Sequence, residues 1–336
     1  MEKLRYSKGY ISKLNLKENE IAIKKIRNYF QNKLEKELNL LRVTAPLFVL
    51  SKTGINDDLN GIEKPVNFDI DLNEENRNLE IVHSLAKWKR LNIDKYGLNI
   101  HEGIYTDMNA IRKDEIRDNY HSIYVDQRDY EVIISKEDRN KEFLKKFVNR
   151  VYKVIRETEL YVEKEYQIPH VLPSKISIIE SEDLLKLFPK LSPDERVKKY
   201  VKEKKAAFIL GIGYPLSDGV KQDGRAPDYD DWKLNGDIFV YNPVLDDALE
   251  LSSMGIRVDK DSLKEQSKFD HKEENLKLMF QKKVLNEEVP FTLGGGIGQS
   301  RLCMFMLKKL HIGEVQSSVW DEKTIKFLKD KGVNIL

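Results

Sequence analysis

The chain has a single cysteine, few histidines and little net charge, and each of these shortages excludes a class of protein. One thiol, Cys303, cannot form a disulfide within the chain, which suits a reducing cytoplasm. The six histidines include no close pair, so a dedicated zinc site is not indicated. The formal net charge is only +2 although 34% of the residues are ionisable. A uniformly basic surface for DNA or RNA is therefore not expected.

Long apolar runs, flexible linkers and internal repeats are also missing. No stretch approaches the roughly 20 apolar residues of a membrane span, and the polar N-terminus is unlike a signal peptide. We therefore expect a soluble, cytoplasmic protein that does not bind a membrane. An apolar content of 40% is enough for a sizeable core in 336 residues. These features predict one domain over residues 1–336.

Hydrophobic periodicity predicts a mixed α+β fold. A first amphipathic helix is indicated by apolar residues at helical spacing, Ile23, Ile26, Phe30 and Leu34. A second long helix is predicted over residues 141–165. Short β-rich runs separated by turns predict strands over residues 79–83, 122–134, 175–179, 206–212 and 237–242. Because strand–helix–strand units do not recur regularly, these runs favour a mainly antiparallel β-sheet flanked by helices.

The most informative stretch is FTLGGGIGQSRLCMFML, residues 291–307. It predicts a short apolar strand, a loop with four glycines in five residues, and an apolar helix with Arg301 in its first turn. Glycines let a backbone lie against a planar or anionic ligand, and the helix N-terminus adds unpaired N–H groups. The last glycine of GxGxxG and the lysine of GxxxxGK[ST] are absent. A phosphate or adenine site of another architecture and a plain tight turn therefore remain as alternatives.

The predicted strand SIYVDQRDYE, residues 122–131, changes character along its length. Alternation places Val125, Gln127 and Asp129 on one face, which begins apolar and ends polar. Such a face indicates a strand that leaves the core and enters a pocket, although a solvent-exposed strand end is the alternative. Gln127 offers a hydrogen-bond donor and an acceptor without charge.

Other segments collect charged residues in short loops. Asp57 lies in GINDDLNGIEK, Lys89 in VHSLAKWKR and Asp230 in RAPDYDDW. Each segment alone is also explained by a solvated loop. Asp237 begins a predicted strand, and Glu250 lies on the element that follows it. Acidic residues that face each other across neighbouring strands can hold Mg²⁺ while nucleotide phosphates supply the remaining ligands.

Several motifs together resemble the ammonia-dependent asparagine synthetase family, the aspartate–ammonia ligases. They run nearly from end to end of the chain: VHSLAKWKR, YTDMNAIRKDE, HSIYVDQRDYE, RAPDYDDW, ELSSMGIRVD and GGGIGQSRL. The resemblance implies a catalytic core like that of class II aminoacyl-tRNA synthetases, and a homodimer. It also implies ATP-dependent synthesis of L-asparagine from L-aspartate and ammonia. The implied route is a β-aspartyl adenylate, with release of AMP and pyrophosphate.

The resemblance further implies a role for particular residues. Arg112 would neutralise the α-phosphate of ATP, and Gln127 would contact the reacting carbonyl. Asp57 is the first candidate for the base, and Asp57, Asp129 and Asp230 are all candidates to bind the ammonium group of aspartate or the incoming ammonium. Aspartate or the incoming ammonium is expected to contact Ser84, Lys89, Asp129, Asp230 and Arg257. ATP is expected to contact Arg112, Ser122, Ser253, Gly295, Gly296 and Arg301. The expected ligands of Mg²⁺ are Asp237 and Glu250.

Two rival functions stay open on the sequence alone. An aminoacyl-tRNA synthetase-like enzyme would need a tRNA-binding appendage, for which neither the length nor the charge leaves room. A noncatalytic amino-acid-binding paralogue would be expected to lose Arg112, Glu250 or Arg301, and all three are present. No glutamine-hydrolysing half is evident, because the chain does not begin Met-Cys and Cys303 is predicted in a helix. Free ammonia is the expected nitrogen donor.

Overall fold

A computed structural model describes residues 4–57, 59, 63–72 and 75–336 of the chain. The helices are α1 (Leu16–Leu38), α2 (Ala86–Asn92), α3 (Lys141–Tyr166), α4 (Ser181–Leu187), α5 (Pro193–Lys204), α6 (Lys260–Phe269), α7 (Met279–Leu285), α8 (Gln299–Met306) and α9 (Glu322–Asp330). The strands are β1 (Leu40–Arg42), β2 (Phe48–Leu50), β3 (Asn67–Leu72), β4 (Glu75–Ile81), β5 (Gly103–Ile111), β6 (Tyr124–Ile133), β7 (Ser177–Glu180), β8 (Ala206–Leu210), β9 (Asp230–Asn242), β10 (Asp247–Arg257) and β11 (Thr292–Gly298). Single 3₁₀ turns span Ile93–Tyr96, Glu273–Lys277 and Ile312–Glu314.

Both long helices predicted from periodicity are present. α1 begins at Asn15, whose side chain and that of Glu18 form a reciprocal capping box. α3 begins at Asn140, whose side chain accepts a hydrogen bond from the N–H of Phe143. Phe143 lies in the first turn of α3, at the edge of the core, and is therefore only partly buried.

The main sheet confirms the prediction of a mainly antiparallel α+β fold. Its strand order is β1-β5-β6-β11-β10-β9-β8-β7. Each pair of neighbouring strands in the run β5-β6-β11-β10-β9-β8 is antiparallel. The outer pairs, β1 with β5 and β7 with β8, are parallel. One face of this sheet packs against α1, α3 and α8 in the largest apolar core. Strand alternation then turns polar side chains of the central strands towards the opposite face.

The glycine-rich stretch is a strand and not the predicted loop. Gly294, Gly295, Gly296 and Gly298 belong to β11, which pairs with β6 on one side and β10 on the other. The physical reason is crowding by side chains of the neighbouring strands. A Cβ atom on Gly294 would lie 2.0 Å from Oε2 of Glu131. These glycines therefore let charged side chains lie across the sheet surface.

Other strands differ from the prediction in extent. β5 was not predicted, because its sequence GIYTDMNAI mixes polar residues with apolar ones. It pairs along its whole length with β6. β9 begins at Asp230, seven residues earlier than predicted, because the segment from Asp230 pairs with β10 up to Arg257. The loop that carries Asp57 joins β2 to β3 in a separate sheet of order β2-β4-β3.

Among the described residues, no helix is both long and apolar enough to cross a membrane.

Candidate active site

A cavity of about 330 Å³ lies on the face of the main sheet opposite α1, α3 and α8. Strands β6, β10 and β11 form its floor, and the Asp57 loop, α2 and the segment before β9 form its walls. It brings together all the predicted site residues except Asp237. They are Asp57, Ser84, Lys89, Arg112, Ser122, Gln127, Asp129, Asp230, Glu250, Ser253, Arg257, Gly295, Gly296 and Arg301. Their roles stay predictions.

Arg257 lies on the floor of the cavity and is held by two carboxylates. Its Nε donates to Oε1 of Glu131 at 2.8 Å and its Nη2 to Oε2 at 2.6 Å. Its Nη1 donates to Oδ1 of Asp230 at 2.5 Å. Burial alone would lower the pKa of Arg257, but these two carboxylates raise it well above its ordinary value. Because guanidinium has five N–H bonds, two remain for a substrate carboxylate.

Glu131 is a residue of the site that sequence reasoning missed. It is fully buried, and Arg257 and Lys89 lower its pKa although burial acts in the opposite direction. A signal was present, because Glu131 follows Gln127 and Asp129 at the same two-residue spacing along β6. Gly294 leaves room for this ion pair, since a Cβ there would also lie 2.2 Å from Nη2 of Arg257.

Lys89 is fixed beside this ion pair. Its Nζ donates to the carbonyl oxygens of Tyr130 at 2.9 Å and Gly295 at 3.2 Å, and it lies 3.3 Å from Oδ2 of Asp129. Burial lowers the pKa of Lys89, and Asp129 and Glu131 oppose that effect. Oδ1 of Asp129 is buried and has no hydrogen-bond partner in the part of the chain that the structure describes. It is therefore an available acceptor for an ammonium group.

Asp57 reaches the cavity from the loop between β2 and β3. Its Oδ1 accepts a hydrogen bond from the N–H of Leu59 at 2.9 Å, and its carbonyl oxygen lies 3.1 Å from Nδ1 of His83. Burial raises the pKa of the Asp57 carboxyl, and the nearby cations Lys87 and Arg112 oppose this rise. Its neighbour in the predicted loop, Asp58, lies outside the described residues.

The other end of the cavity carries cations that are less completely paired. Nη1 of Arg301, in the first turn of α8, lies 3.3 Å from Oε2 of Glu250. Nη2 of Arg112, just after β5, donates to the carbonyl oxygen of His83 at 3.2 Å. Burial would raise the pKa of Glu250, but Arg301 and other cations lower it. Ser122 lies at this end, 2.7 Å from Oγ of Ser318.

Asp237 lies behind the cavity wall and not in it. It is buried and forms an ion pair with Arg225, which does line the cavity. Burial raises the pKa of Asp237 to about 7; Arg225 opposes the rise, and the carboxylates of Glu250 and Asp223 add to it. Arg225 is a second residue that sequence reasoning left without a role, although it begins the quoted motif RAPDYDDW.

Asp237 and Glu250 are the carboxylates predicted to bind Mg²⁺, at the end of the cavity that carries Arg301. No group of three His, Cys, Asp or Glu side chains in the described ranges could hold a metal by itself. Asp237 and Glu250 interact electrostatically, but Arg225 already supplies the cation that pairs with Asp237. Of these two carboxylates only Glu250 lines the cavity, and it fits Mg²⁺, which takes one or two carboxylates and completes its shell with phosphates and water.

Known proteins resemble this chain in sequence along almost its whole length. The sequence model of the aspartate–ammonia ligase family matches residues 17–332. Over 336 residues the chain is 54% identical to the aspartate–ammonia ligase of Clostridium tetani, covering 100% of this chain and 98% of that protein. It is 52% identical over 329 residues to the aspartate–ammonia ligase of Fusobacterium nucleatum, covering 98% of this chain and 100% of that one.

Solved structures with the same fold are class II aminoacyl-tRNA synthetases. Asparaginyl-tRNA synthetase from Entamoeba histolytica matches with a TM-score of 0.63 and 14% identity, over 90% of this chain and 67% of that chain. Asparaginyl-tRNA synthetase from Pyrococcus horikoshii, complexed with asparaginyl-adenylate, matches with a TM-score of 0.60 and 15% identity, over 89% and 68%. These matches confirm the class II synthetase-like fold.

Proposed function

The chain belongs to the aspartate–ammonia ligase family, and on this premise we propose that its cavity activates aspartate as a β-aspartyl adenylate before ammonia is added. The protein is a ligase that makes L-asparagine from L-aspartate and ammonia at the expense of ATP. Activation is required because a free carboxylate would have to expel an oxide ion. Reaction with ATP replaces this leaving group with AMP.

The observation that carries the proposal is the fixed orientation of Arg257. Two of its N–H bonds remain after those given to Glu131 and Asp230, and we assign them to the α-carboxylate of aspartate. The ammonium group of aspartate is assigned to Asp129, whose Oδ1 has no partner among the described residues. Ser84 and Lys89 complete this end. The β-carboxylate is then left to face the nucleotide.

Adenylation takes place towards Arg112 and Arg301. A β-carboxylate oxygen attacks the α-phosphorus of ATP, and the bond from that phosphorus to pyrophosphate breaks. Arg112 stabilises the negative charge that develops on the α-phosphate, and Arg301 orients the nucleotide over Gly295 and Gly296. Ser122 and Ser253 are assigned to the nucleotide as well. Glu250, with Asp237 behind it, would hold Mg²⁺, which when bound supplies further positive charge to the phosphates.

Amination is assigned to Asp57 and Gln127. Ammonia at neutral pH is mostly protonated, so a base has to remove a proton before nitrogen can attack. Asp57 accepts this proton, the nitrogen forms a bond to the β-carbonyl carbon, and the bond from that carbon to the AMP oxygen breaks. The nitrogen then loses a second proton to water, which leaves the neutral amide of asparagine. The side-chain N–H of Gln127 donates to the carbonyl oxygen as its negative charge grows.

Product analysis tests this route. The enzyme with ATP, Mg²⁺, aspartate and ammonium should release AMP, pyrophosphate and asparagine in equal amounts. Accumulation of ADP and orthophosphate would instead indicate a β-aspartyl phosphate, and the assignment of Arg112 would be wrong. Charging of tRNA with an amino acid by the same preparation would favour the rival synthetase-like function.

The nitrogen donor is tested with glutamine freed of ammonia. Ammonium should support synthesis and such glutamine should support little, because no glutaminase nucleophile is available. Cys303 is fully buried in α8, and burial raises the pKa of its thiol to about 11. Cys303→Ser should therefore retain activity. Light scattering would test the further proposal that the enzyme is a homodimer.

A further inference from the structure

A buried ion pair lies behind Asp57 and has no part in the route given above. Lys87 in α2 and Asp228 in the segment before β9 are both buried, and neither lines the cavity. Nζ of Lys87 donates to Oδ2 of Asp228 at 2.7 Å. A buried ion pair is often no more stable than an apolar packing of the same volume. Stability of the fold alone is therefore a weak reason for its presence.

A residue far along the chain fixes this ion pair. Gln281 in α7 donates from Nε2 to the same Oδ2 of Asp228, at 2.6 Å. Its amide lies against Gly54, where a Cβ atom would sit 2.1 Å from Oε1 of Gln281. A backbone hydrogen bond of 3.1 Å also joins the start of α7 to the residue before Gly54. The segment that leads to Asp57 is thus anchored to α7 and to the ion pair together.

Lys87 is also the main positive charge near Asp57. Among the residues that the structure describes, the titratable side chains that interact with Asp57 from the surrounding elements are Lys87, Arg112, Asp228, His83 and Tyr229. Burial raises the pKa of the Asp57 carboxyl, Lys87 is the strongest opposing charge, and Asp228 adds to the rise. Without Lys87, Asp57 would remain buried with a second carboxylate beside it.

We propose that Lys87 is the positioning residue for Asp57 in the amination step, and that Asp228 and Gln281 hold Lys87 in place. The ammonium group of Lys87 opposes the effect of burial on the Asp57 carboxyl and so favours its ionised form, which can accept a proton from incoming ammonium. Asp228 keeps Lys87 from turning towards the cavity. The inference rests on the proposed role of Asp57 and adds residues outside the cavity to it.

Lys87→Met tests the proposal because it removes the charge and keeps the length of the side chain. The acid limb of the pH profile of kcat/KM for ammonium should move up by about one pH unit, the shift that loss of a neighbouring opposite charge produces. Amination below the limb should fall about tenfold. Aspartate-dependent exchange of pyrophosphate into ATP should keep its pH profile, since adenylation does not use Asp57.

Two further variants separate charge from packing. Lys308→Met breaks another ion pair, in which a largely buried Lys308 lies 2.7 Å from the fully buried Glu159 away from the cavity, and it should leave the pH profile of amination unchanged. Lys87→Met combined with Asp228→Asn removes both charges, so the acid limb should move back towards that of the parent enzyme. If Lys87→Met fails to fold, Gln281→Leu tests the same point. This variant should raise the KM for ammonium and leave the exchange of pyrophosphate into ATP unchanged.

The proposal would be overturned by an unmoved acid limb in Lys87→Met together with equal losses of amination and exchange. Unchanged ammonium kinetics in Gln281→Leu would overturn the part assigned to Gln281. Failure of the underlying assignment has a different signature, because Asp57→Asn would then make asparagine at the parent rate. Failure of the whole route would appear in the parent enzyme itself, as products other than AMP and asparagine.

Discussion

The two ends of the cavity hold their charges in different ways. The end assigned to aspartate consists of Lys89, Asp129, Glu131, Asp230 and Arg257. The end assigned to the nucleotide consists of Arg112, Glu250 and Arg301, and the buried pair of Arg225 and Asp237 forms the wall beside it. At the aspartate end, Arg257 is 3% exposed and its partner Glu131 0%, and two hydrogen bonds join them. At the nucleotide end, Arg301 is 22% exposed and Glu250 37%, and a longer contact of 3.3 Å joins them.

This difference follows from what each end has to recognise. Aspartate is small, so its selection requires donors and acceptors already fixed at the right distances. ATP brings several negative charges of its own, and cations that are only loosely paired can turn to meet them. Rigid pairing at one end and spare pairing capacity at the other are therefore both expected of an enzyme that joins these two substrates.

The largest expected effect comes from breaking the rigid end. Glu131→Gln replaces the carboxylate that holds Arg257 through two hydrogen bonds with a neutral amide that has one acceptor oxygen, and it leaves a buried guanidinium with one charged partner, Asp230. Loss of one member of a buried pair typically costs about 3–5 kcal/mol. We expect a decrease of that order in the free energy of unfolding, measured by denaturant titration, and a large rise in the KM for aspartate.

Glu250→Gln is the matched change at the nucleotide end. Its side chain is more than a third exposed, so the stability of the protein should change little while the KM for ATP rises. A loss of stability as large as that of Glu131→Gln would contradict the distinction between the two ends.

Sequence patterns predicted which residues line the site better than they predicted which of those residues pair with one another. Arg257, Lys89 and Asp129 stand in long motifs and all lie in the cavity. The supporting residue Glu131 was missed because strand alternation identifies a shared face, but it does not identify ion pairs between strands. The partner of Glu131 is 126 positions away in the chain.

The glycine run shows a second limit of sequence reasoning. Four glycines in five residues predict a loop on local propensity, but Gly294 and its neighbours lie in a central strand. Tertiary crowding decides the outcome, because the space above Gly294 is filled by Glu131 and Arg257. Asp237 illustrates the same limit, since only the fold places Arg225 between this carboxylate and the cavity.

The Asp57 loop forms one wall of the aspartate end, and its effect should be confined to one step. Asp57→Asn should lower asparagine synthesis by roughly 10²-fold or more if the carboxylate is a general base. Exchange of pyrophosphate into ATP with aspartate present should be retained better. Equal losses in both assays would move Asp57 from amination to aspartate binding.

Arg257→Lys tests whether the aspartate end recognises shape as well as charge. A lysine keeps the positive charge, but it cannot donate to Glu131, to Asp230 and to a carboxylate in one plane. We expect kcat/KM for aspartate to fall by about 1.5–3 kcal/mol of lost charge-assisted hydrogen bonding, with ATP binding nearly unchanged. Weakened ATP binding with unchanged aspartate kinetics would place Arg257 at the nucleotide end.

The smallest expected effect concerns the response of the two ends to pH. The pKa of Asp237 is about 7 in the folded protein and near 3.8 when the chain is unfolded, so the folded state binds this proton more tightly. The stabilisation from this proton is complete below about pH 4 and is lost as the pH rises through 7. The Tm of the wild type minus the Tm of Asp237→Asn, which cannot ionise at this position, should therefore decrease between pH 6 and pH 8. We expect a decrease of about 1 kcal/mol, or about 2 °C, because pH 6 lies about one unit below this pKa. Glu131 has a lowered pKa, so its pKa lies below pH 6 in both the folded and the unfolded chain. The difference in Tm between wild type and Glu131→Gln should therefore stay constant from pH 6 to pH 8. The opposite pattern, a constant difference for Asp237→Asn and a sloping one for Glu131→Gln, would show that the raised pKa belongs to Glu131 and not to Asp237.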